Sequence, residues 1–254
     1  MIDQREKAKT FKALHESRKT FIIPNPWDAG SARLLEETGF KALATTSSGF
    51  ANAIGKIDGQ VCLEEKLDHC RALAAVTNIP ISADFEDGFA ESPEEAAANL
   101  VKLAATGVVG GSIEDYSRSV IYEFDLAVNR IAACAAAVKA LSFPFTLTAR
   151  AEGLLRGTCD LDAAINRLQA FEAAGADVLF VPGLRSLREV DEVVSAVSKP
   201  INVLASFMPK VTLAEYAAHG VSRISIGGAL AGHAAAATQA AANEMLKSGS
   251  FASM

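Results

Sequence analysis

The feature that most constrains this chain is an alternation repeated eight times. Short β-like runs occur at "FIIPN" (21–25), "ALATTS" (42–47), "ISADF" (81–85) and "GGSIED" (110–115). They recur at "FTLTAR" (145–150), "VLFVPG" (178–183), "INVLAS" (201–206) and "RISIGG" (223–228). Between them lie Ala-, Leu- and Glu-rich segments with apolar residues three and four apart, the helical period. One of these, "SPEEAAANLVKLAATG", opens with Ser92 as an expected N-cap and Pro93 at the first helical position. It stops at Gly107, and the segment before the sixth run stops at Gly175. Strand–helix alternation implies a parallel sheet, and eight units in 254 residues imply a (β/α)8 barrel. An open doubly wound sheet is the alternative, but "NPWDAGSA" after the first run lacks the glycine-rich turn that such a fold wants. No Pro-, Gly- or Ser-rich linker divides the chain. The expectation is one domain over 1–254, with a leading helix in 1–18 and a C-terminal helix and tail in 229–254.

Side chains alternate along a strand, so parity sorts each run into two faces. Ile81, Ala83 and Phe85 share one face; Ser82, Asp84 and Glu86 share the other. In the next runs Ser112 and Glu114, then Thr146, Thr148, Arg150 and Glu152, fall on the polar side. The apolar set should meet the helices, and the polar set should face the barrel axis with its charges at the C-terminal mouth. Ser48 and Asp58 follow the second run. Carboxylates converging from adjacent strand ends repel one another and call for a cation. All-oxygen donors without His or Cys select a hard ion, Mg2+ or else Mn2+, with Asp84, Glu86 and Glu114 as its acids. Asp87 and Asp115 have the other parity and are expected to cap helices.

Several function classes are excluded by charge and composition. A formal charge of −6 and a pI near 5.3 argue against nucleic acid or an anionic membrane surface as partners. No apolar run approaches the roughly 18 residues of a membrane span. The charged, amphipathic start "MIDQREKAKTFKALHES" is not a secretory signal, and Cys62, Cys70, Cys134 and Cys159 show no C-x-x-C spacing. The expectation is a cytoplasmic protein without a disulfide framework. His15, His69, His219 and His233 fall in helices or at helix ends, which gives little support to a histidine metal site or a Ser-His-Asp triad.

The ordered motifs "PNPWDAGSARLLEETGFKALATTSSGFA", "GKIDGQ", "ADFEDGFA", "GGSIED" and "TARAEG" resemble the isocitrate lyase/phosphoenolpyruvate mutase superfamily over nearly the whole chain. The resemblance implies an α/β barrel whose last helix is exchanged between subunits of a homodimer or homotetramer. It also implies roles by position. Ser48 and Gly49 would grip a substrate carboxylate, and Asp84 would bind Mg2+ directly. Asp58, Glu86 and Glu114 would reach the ion largely through water, and Arg150 would bind an oxyanion or second carboxylate.

Three departures narrow the expected chemistry. The family's D-x-D is here Asp84-Phe85-Glu86, one methylene longer. After "IEDY" the isocitrate and methylisocitrate lyases carry a cysteine that acts as acid and base, and the phosphonopyruvate enzymes carry a lysine and an asparagine. This chain has "SRSVIYEFD" there and Gly183 where methylisocitrate lyases have a glutamate. What remains suits a Mg2+-dependent lyase acting on a small 2-oxo acid through an enolate, by decarboxylation of an oxaloacetate-like acid or hydrolysis of an acylpyruvate. Tyr116 is a candidate for returning the proton. The alternatives are a P–C bond enzyme of the phosphonopyruvate type, a sugar-phosphate barrel enzyme using "SIGGALAG", and a non-catalytic barrel.

Overall fold

The computed structural model of the protein describes residues 2–17 and 19–252. Met1, Arg18, Ser253 and Met254, which belong to the expected leading and trailing segments, lie outside the described residues. The leading helix is α1 (Gln4–Glu16), and the strands are β1 (Phe21–Ile22), β2 (Leu43–Ala44), β3 (Ile81–Asp84), β4 (Gly110–Glu114), β5 (Thr146–Arg150), β6 (Val178–Phe180), β7 (Ile201–Leu204) and β8 (Arg223–Ser225). Between them run α2 (Ala29–Thr38), α3 (Ser47–Ala53), α4 (Leu63–Val76), α5 (Pro93–Ala104), α6 (Phe124–Lys139), α7 (Gly153–Arg156), α8 (Leu161–Ala173), α9 (Leu187–Ala196) and α10 (Leu213–Ala218). The last helix is α11 (Ala229–Ser248).

All eight runs form strands of one sheet in the order β1-β8-β7-β6-β5-β4-β3-β2, every pair parallel. The seam between the first and last strands of that order is closed just beyond the ladder, where Ala44 N–H donates to Pro24 O at 3.0 Å and Asn25 Nδ2 donates to Thr45 O at 3.0 Å. The strands are shorter than the runs because each run continues past the ladder into a mouth loop. Register sets the level of the site: Asp84 lies opposite Ser112, Ser112 opposite Thr148, and Glu114 opposite Arg150.

Parity sorts the two faces as expected. Ile81, Ala83, Phe85, Ile113, Leu147 and Ala149 are buried in a continuous layer with Leu67, Leu73, Leu100 and Ile131 of the helices. Inside the barrel stand Ser82, Ser112, Asn202, Arg223 and Ser225, so the lumen is polar where many barrels stack branched apolar side chains. Local signals act where they were read. Ser92 accepts from Glu95 N–H with Pro93 at the first helical position, and Gly107 takes the left-handed φ of 102° that ends the segment. Asp28 caps α2 in a reciprocal box with Ser31. The last helix is the exception to the packing. Among its described residues α11 buries none, and Leu246 is 85% exposed.

Candidate active site

Arg150, the last residue of β5, holds the centre of the mouth. Its Nη1 stands 3.3 Å from Glu114 Oε2 at the end of β4 and 3.6 Å from Asp84 Oδ1 at the end of β3. Its Nε pairs with Glu152 Oε1 at 2.5 Å, and Glu152 is fully buried. Glu152 also takes Arg156 Nε at 2.9 Å, so it fixes Arg150 and cannot itself reach outward. Three strands thus bring acids and one guanidinium to one volume, as their register requires. The pairing of Arg150 with Glu152 and its facing of the carboxylates coexist.

The other expected residues are placed unequally. Ser48 lines the cavity, its Oγ 3.2 Å from Thr46 Oγ1. Gly49 N–H lies 3.3 Å from Thr46 Oγ1 as part of the cap of α3, and Gly49 is not among the residues lining the cavity. The backbone donor that reaches the site is Ser47 N–H, 3.0 Å from Asp84 Oδ2. Glycine is needed at position 49 for another reason, because a Cβ there would lie 2.6 Å from Thr46 Cγ2 and 3.1 Å from Trp27 Cβ. Asp58 is exposed at the cavity rim. Tyr116 does not line the cavity; its ring is covered by the Arg156 guanidinium at 4.0 Å.

Glu86 departs from simple parity because β3 ends at Asp84 and the chain turns through a left-handed φ of 48° at Glu86. A non-glycine residue held there is strained, and such strain collects at functional sites. Arg130 holds the turn by donating to the carbonyl oxygens of Asp87, Ala90 and Glu91. The expectation that Asp87 and Asp115 cap helices is also corrected. Asp87 accepts from Tyr122 Oη at 3.1 Å and from Phe89 N–H, while Asp115 accepts from Glu152 N–H at 2.7 Å and faces Arg167 at 3.2 Å. Neither caps the helix that follows its own strand: Ser92 caps α5 and Glu123 stands at the start of α6.

Two basic residues beside the acids escaped the sequence reading. Lys66, on α4, is fully buried, and its Nζ lies 3.4 Å from Thr45 Oγ1, which also accepts Asp84 N–H at 2.9 Å. Apolar periodicity does not single out a lysine on an inward helix face; its signal is its place among buried positions of that face. Arg118, in the loop after β4, reaches Glu86 Oε2 at 3.4 Å and Val61 O at 3.3 Å. It ties that loop across the mouth.

Electrostatics separates the acids. Burial pushes Asp84 up, but Arg150, Lys66 and the Ser47 N–H outweigh it, so its carboxyl is held below the ordinary value. Burial pushes Glu86 up to about 7, with Lys66 opposing. Burial raises Glu114 well above the ordinary value despite Arg150, and raises Asp115 to about 6. With these side chains, no group of three or more His, Cys, Asp or Glu residues among the described residues converges closely enough to hold a metal. The carboxylates are arranged around Arg150 instead. Their chemistry nevertheless fits a hard divalent cation. The donors are all oxygen, Asp84 is ionised, and Glu86 Oε1 is buried with no hydrogen-bond partner. An orphaned buried carboxylate oxygen is costly, and a cation satisfies it.

The cavity above β3, β5, β7 and β8 measures about 180 Å³ and is lined by Ser48, Asp58, Asp84, Arg150 and Arg223 among others. A larger one, about 1040 Å³, lies at the opposite end near Lys12, Lys139, Asp177 and Lys199. It holds no converging acids, and barrel chemistry belongs at the C-terminal ends of the strands. We therefore place the site in the smaller cavity.

Residues 11–246 match the family model described as phosphoenolpyruvate phosphomutase. The chain belongs to that family. Members of this superfamily, the isocitrate lyases and phosphoenolpyruvate mutases, are lyases and mutases. A Burkholderia cenocepacia crystal structure with a provisional lyase/mutase assignment is 47% identical, with a TM-score of 0.95, covering 98% of this chain and 91% of that one. An oxaloacetate acetylhydrolase solved with its product oxalate is 26% identical, with a TM-score of 0.89 over 99% of this chain and 90% of that one. Among curated relatives, the 2-methylisocitrate lyase of Escherichia coli is 29% identical over 76% of this chain and 68% of its own length. The oxaloacetate decarboxylase of a Marinomonas species is 26% identical over 89% of this chain and 80% of its own. These likenesses fit the barrel and the lyase chemistry expected from the phosphoenolpyruvate mutase motifs.

Proposed function

We propose that the protein is a Mg2+-dependent lyase that cleaves a small 2-oxo acid of the oxaloacetate or acylpyruvate type at the carbon–carbon bond one removed from the ketone, the bond whose breaking leaves an enolate. The observation that carries this reading is the ring of Asp84, Glu114 and Glu152 around Arg150 at the mouth of a cavity of about 180 Å³. Its size suits a small acid, and its charge suits one that is negative and becomes an enolate. The oxaloacetate enzymes among the relatives support the same substrate class. The loop after β4 supports it too. Residues 117–125 contain no cysteine, and a short turn in which Ser117 N–H donates to Val120 O folds the loop back on itself. That loop offers no thiol acid for the longer isocitrate-type cleavage.

Asp84, Glu86 and Glu114 would hold Mg2+, directly or through water, and bound Mg2+ would supply Lewis acidity to the ketone and adjacent carboxylate of the substrate. The remaining work falls to side chains. Arg150 presents its guanidinium to the oxygen on which charge develops, held in place by Glu152. The Ser48 hydroxyl, which lines the same cavity as Arg150, orients a substrate carboxylate. Asp58, at the exposed rim, stands where solvent brings a proton to the departing enolate. Whether the other product is CO2 or a hydrolysed acyl group depends on whether water attacks.

The test is pyruvate release from oxaloacetate and from acetylpyruvate, with Mg2+ and with EDTA. Turnover should require the metal. In Asp84→Ala it should fall by at least ~100-fold, with an unchanged circular dichroism spectrum. Equal turnover by Asp84→Ala and wild type would overturn the assignment.

A further inference from the structure

Below the carboxylates, the lumen holds a basic group that the proposed reaction leaves unused. Arg223 opens β8 and is 5% exposed. Its Nε donates to Asn202 Oδ1 at 2.9 Å, and one terminal nitrogen donates to Thr148 Oγ1 at 3.0 Å. The other stands 3.4 Å from His15 Nε2. His15 Nδ1 lies 2.8 Å from Phe11 O, a carbonyl that can only accept, so Nδ1 carries the proton and Nε2 is bare. Burial and the adjacent Arg223 push the His15 pKa down to about 3, which keeps the ring neutral.

Every partner of Arg223 is therefore uncharged, and it takes part in no ion pair among the described residues. Arg150, by contrast, faces three acids. Burial lowers Arg223 to about 9, so it remains a cation at neutral pH. Three of its five N–H groups are accounted for by these contacts. A buried charge is retained when something balances it, and here no side chain does. Arg223 lines the same cavity as the site above, with Ser82, Ser112 and Ser225 as polar neighbours.

We propose that the lumen floor is an anion subsite in which Arg223 receives one small monovalent anion. Two sources share that chemistry: a free inorganic anion, or one carboxylate group of the substrate. One cation balances one negative charge, and the cavity of about 180 Å³, which also contains the site above, leaves room for a small group. The subsite stands on Arg223 and its neighbours and does not depend on the reaction proposed above.

Crystals of the metal-free protein soaked in sodium bromide should show an anomalous peak against the Arg223 guanidinium. The peak should persist in Arg150→Met and vanish in Arg223→Met. In solution, sodium chloride added to chloride-free buffer should raise the melting temperature saturably, an effect lost in Arg223→Met. If Arg223→Met does not fold, Arg223→Gln replaces it, and the wild-type bromide map decides by its own result. No bromide at Arg223, or bromide only beside Arg150, overturns the proposal. The source follows from oxalate and oxaloacetate. If chloride competes with oxaloacetate and Arg223→Met raises KM at least tenfold, the occupant is a substrate carboxylate. If bromide stays in place with oxalate bound and KM is unmoved, it is an inorganic anion. Both results uphold the subsite, which the bromide map establishes without turnover; only the choice between the two sources is read from turnover and so rests on the proposed reaction.

Discussion

Asp84, Glu86 and Lys66 divide one problem among three side chains. Asp84 is ionised because cations and an N–H face it; Glu86 is not fully ionised at neutrality because burial outweighs Lys66. Lys66, with its Nζ 3.4 Å from Thr45 Oγ1, lowers both acids electrostatically, and the same charge opposes a cation that binds among them. Replacing it by methionine should tighten Mg2+ binding roughly tenfold or more, read by titration calorimetry, since removing a like charge in a low-dielectric site is worth at least that much. Unchanged or weaker binding would remove Lys66 from the electrostatics of the site. For Glu86 the sign runs the other way from an ordinary ion-paired acid. Its folded pKa lies above its unfolded one, so it favours the folded state below about 4.5, and that contribution is lost as pH rises through about 7. In metal-free protein, Glu86→Gln should therefore melt like wild type near pH 4.5 and several degrees higher at pH 8, by differential scanning calorimetry. Comparing the two isolates Glu86 from His15 and His69, which are both lowered to about 3 and change stability in the opposite sense below pH 6.5. Addition of Mg2+ at pH 8 should reverse the order of the two proteins.

The barrel elements were legible in the sequence because alternation and parity are properties of the backbone. The eight runs became eight parallel strands, and Asp84, Glu114 and Arg150 met because neighbouring strands hold register. What escaped was set by turns and by helix faces. Glu86 left the strand through a left-handed residue, Gly49 spent its N–H on a cap, and Lys66 came from a helix behind the sheet. None of these follows from a period of two. The short helix α3 shows how tightly such an element is fitted. Gly49→Ala would put a methyl against Thr46 and Trp27, and should cost about 1–3 kcal/mol, measured by denaturant unfolding. It should also displace Ser47 and Ser48, raising KM for the acid. A variant as stable as wild type would mean that α3 yields without cost.

For the whole molecule, α11 is the element with no interior of its own. It runs 20 residues with none buried, and its Ala-rich surface offers close approach to another helix. We propose that it docks on a second copy of the chain, as the family resemblance implies, giving a dimer or tetramer. Ending the chain after Gly228 should then lower the mass found by sedimentation to that of one subunit, while full-length protein sediments as two or four. A full-length monomer would leave the helix without that partner. Another feature of the whole concerns where the fold keeps its information. The apolar layer that holds the barrel together lies outside the sheet, against the helices, whereas the lumen is Ser, Thr, Asn and Arg. Folding and recognition are therefore written on opposite faces of the same strands. Drift at the lumen positions can change what the cavity accepts while the scaffold stands, so the barrel can exchange one ligand for another without first learning to fold again.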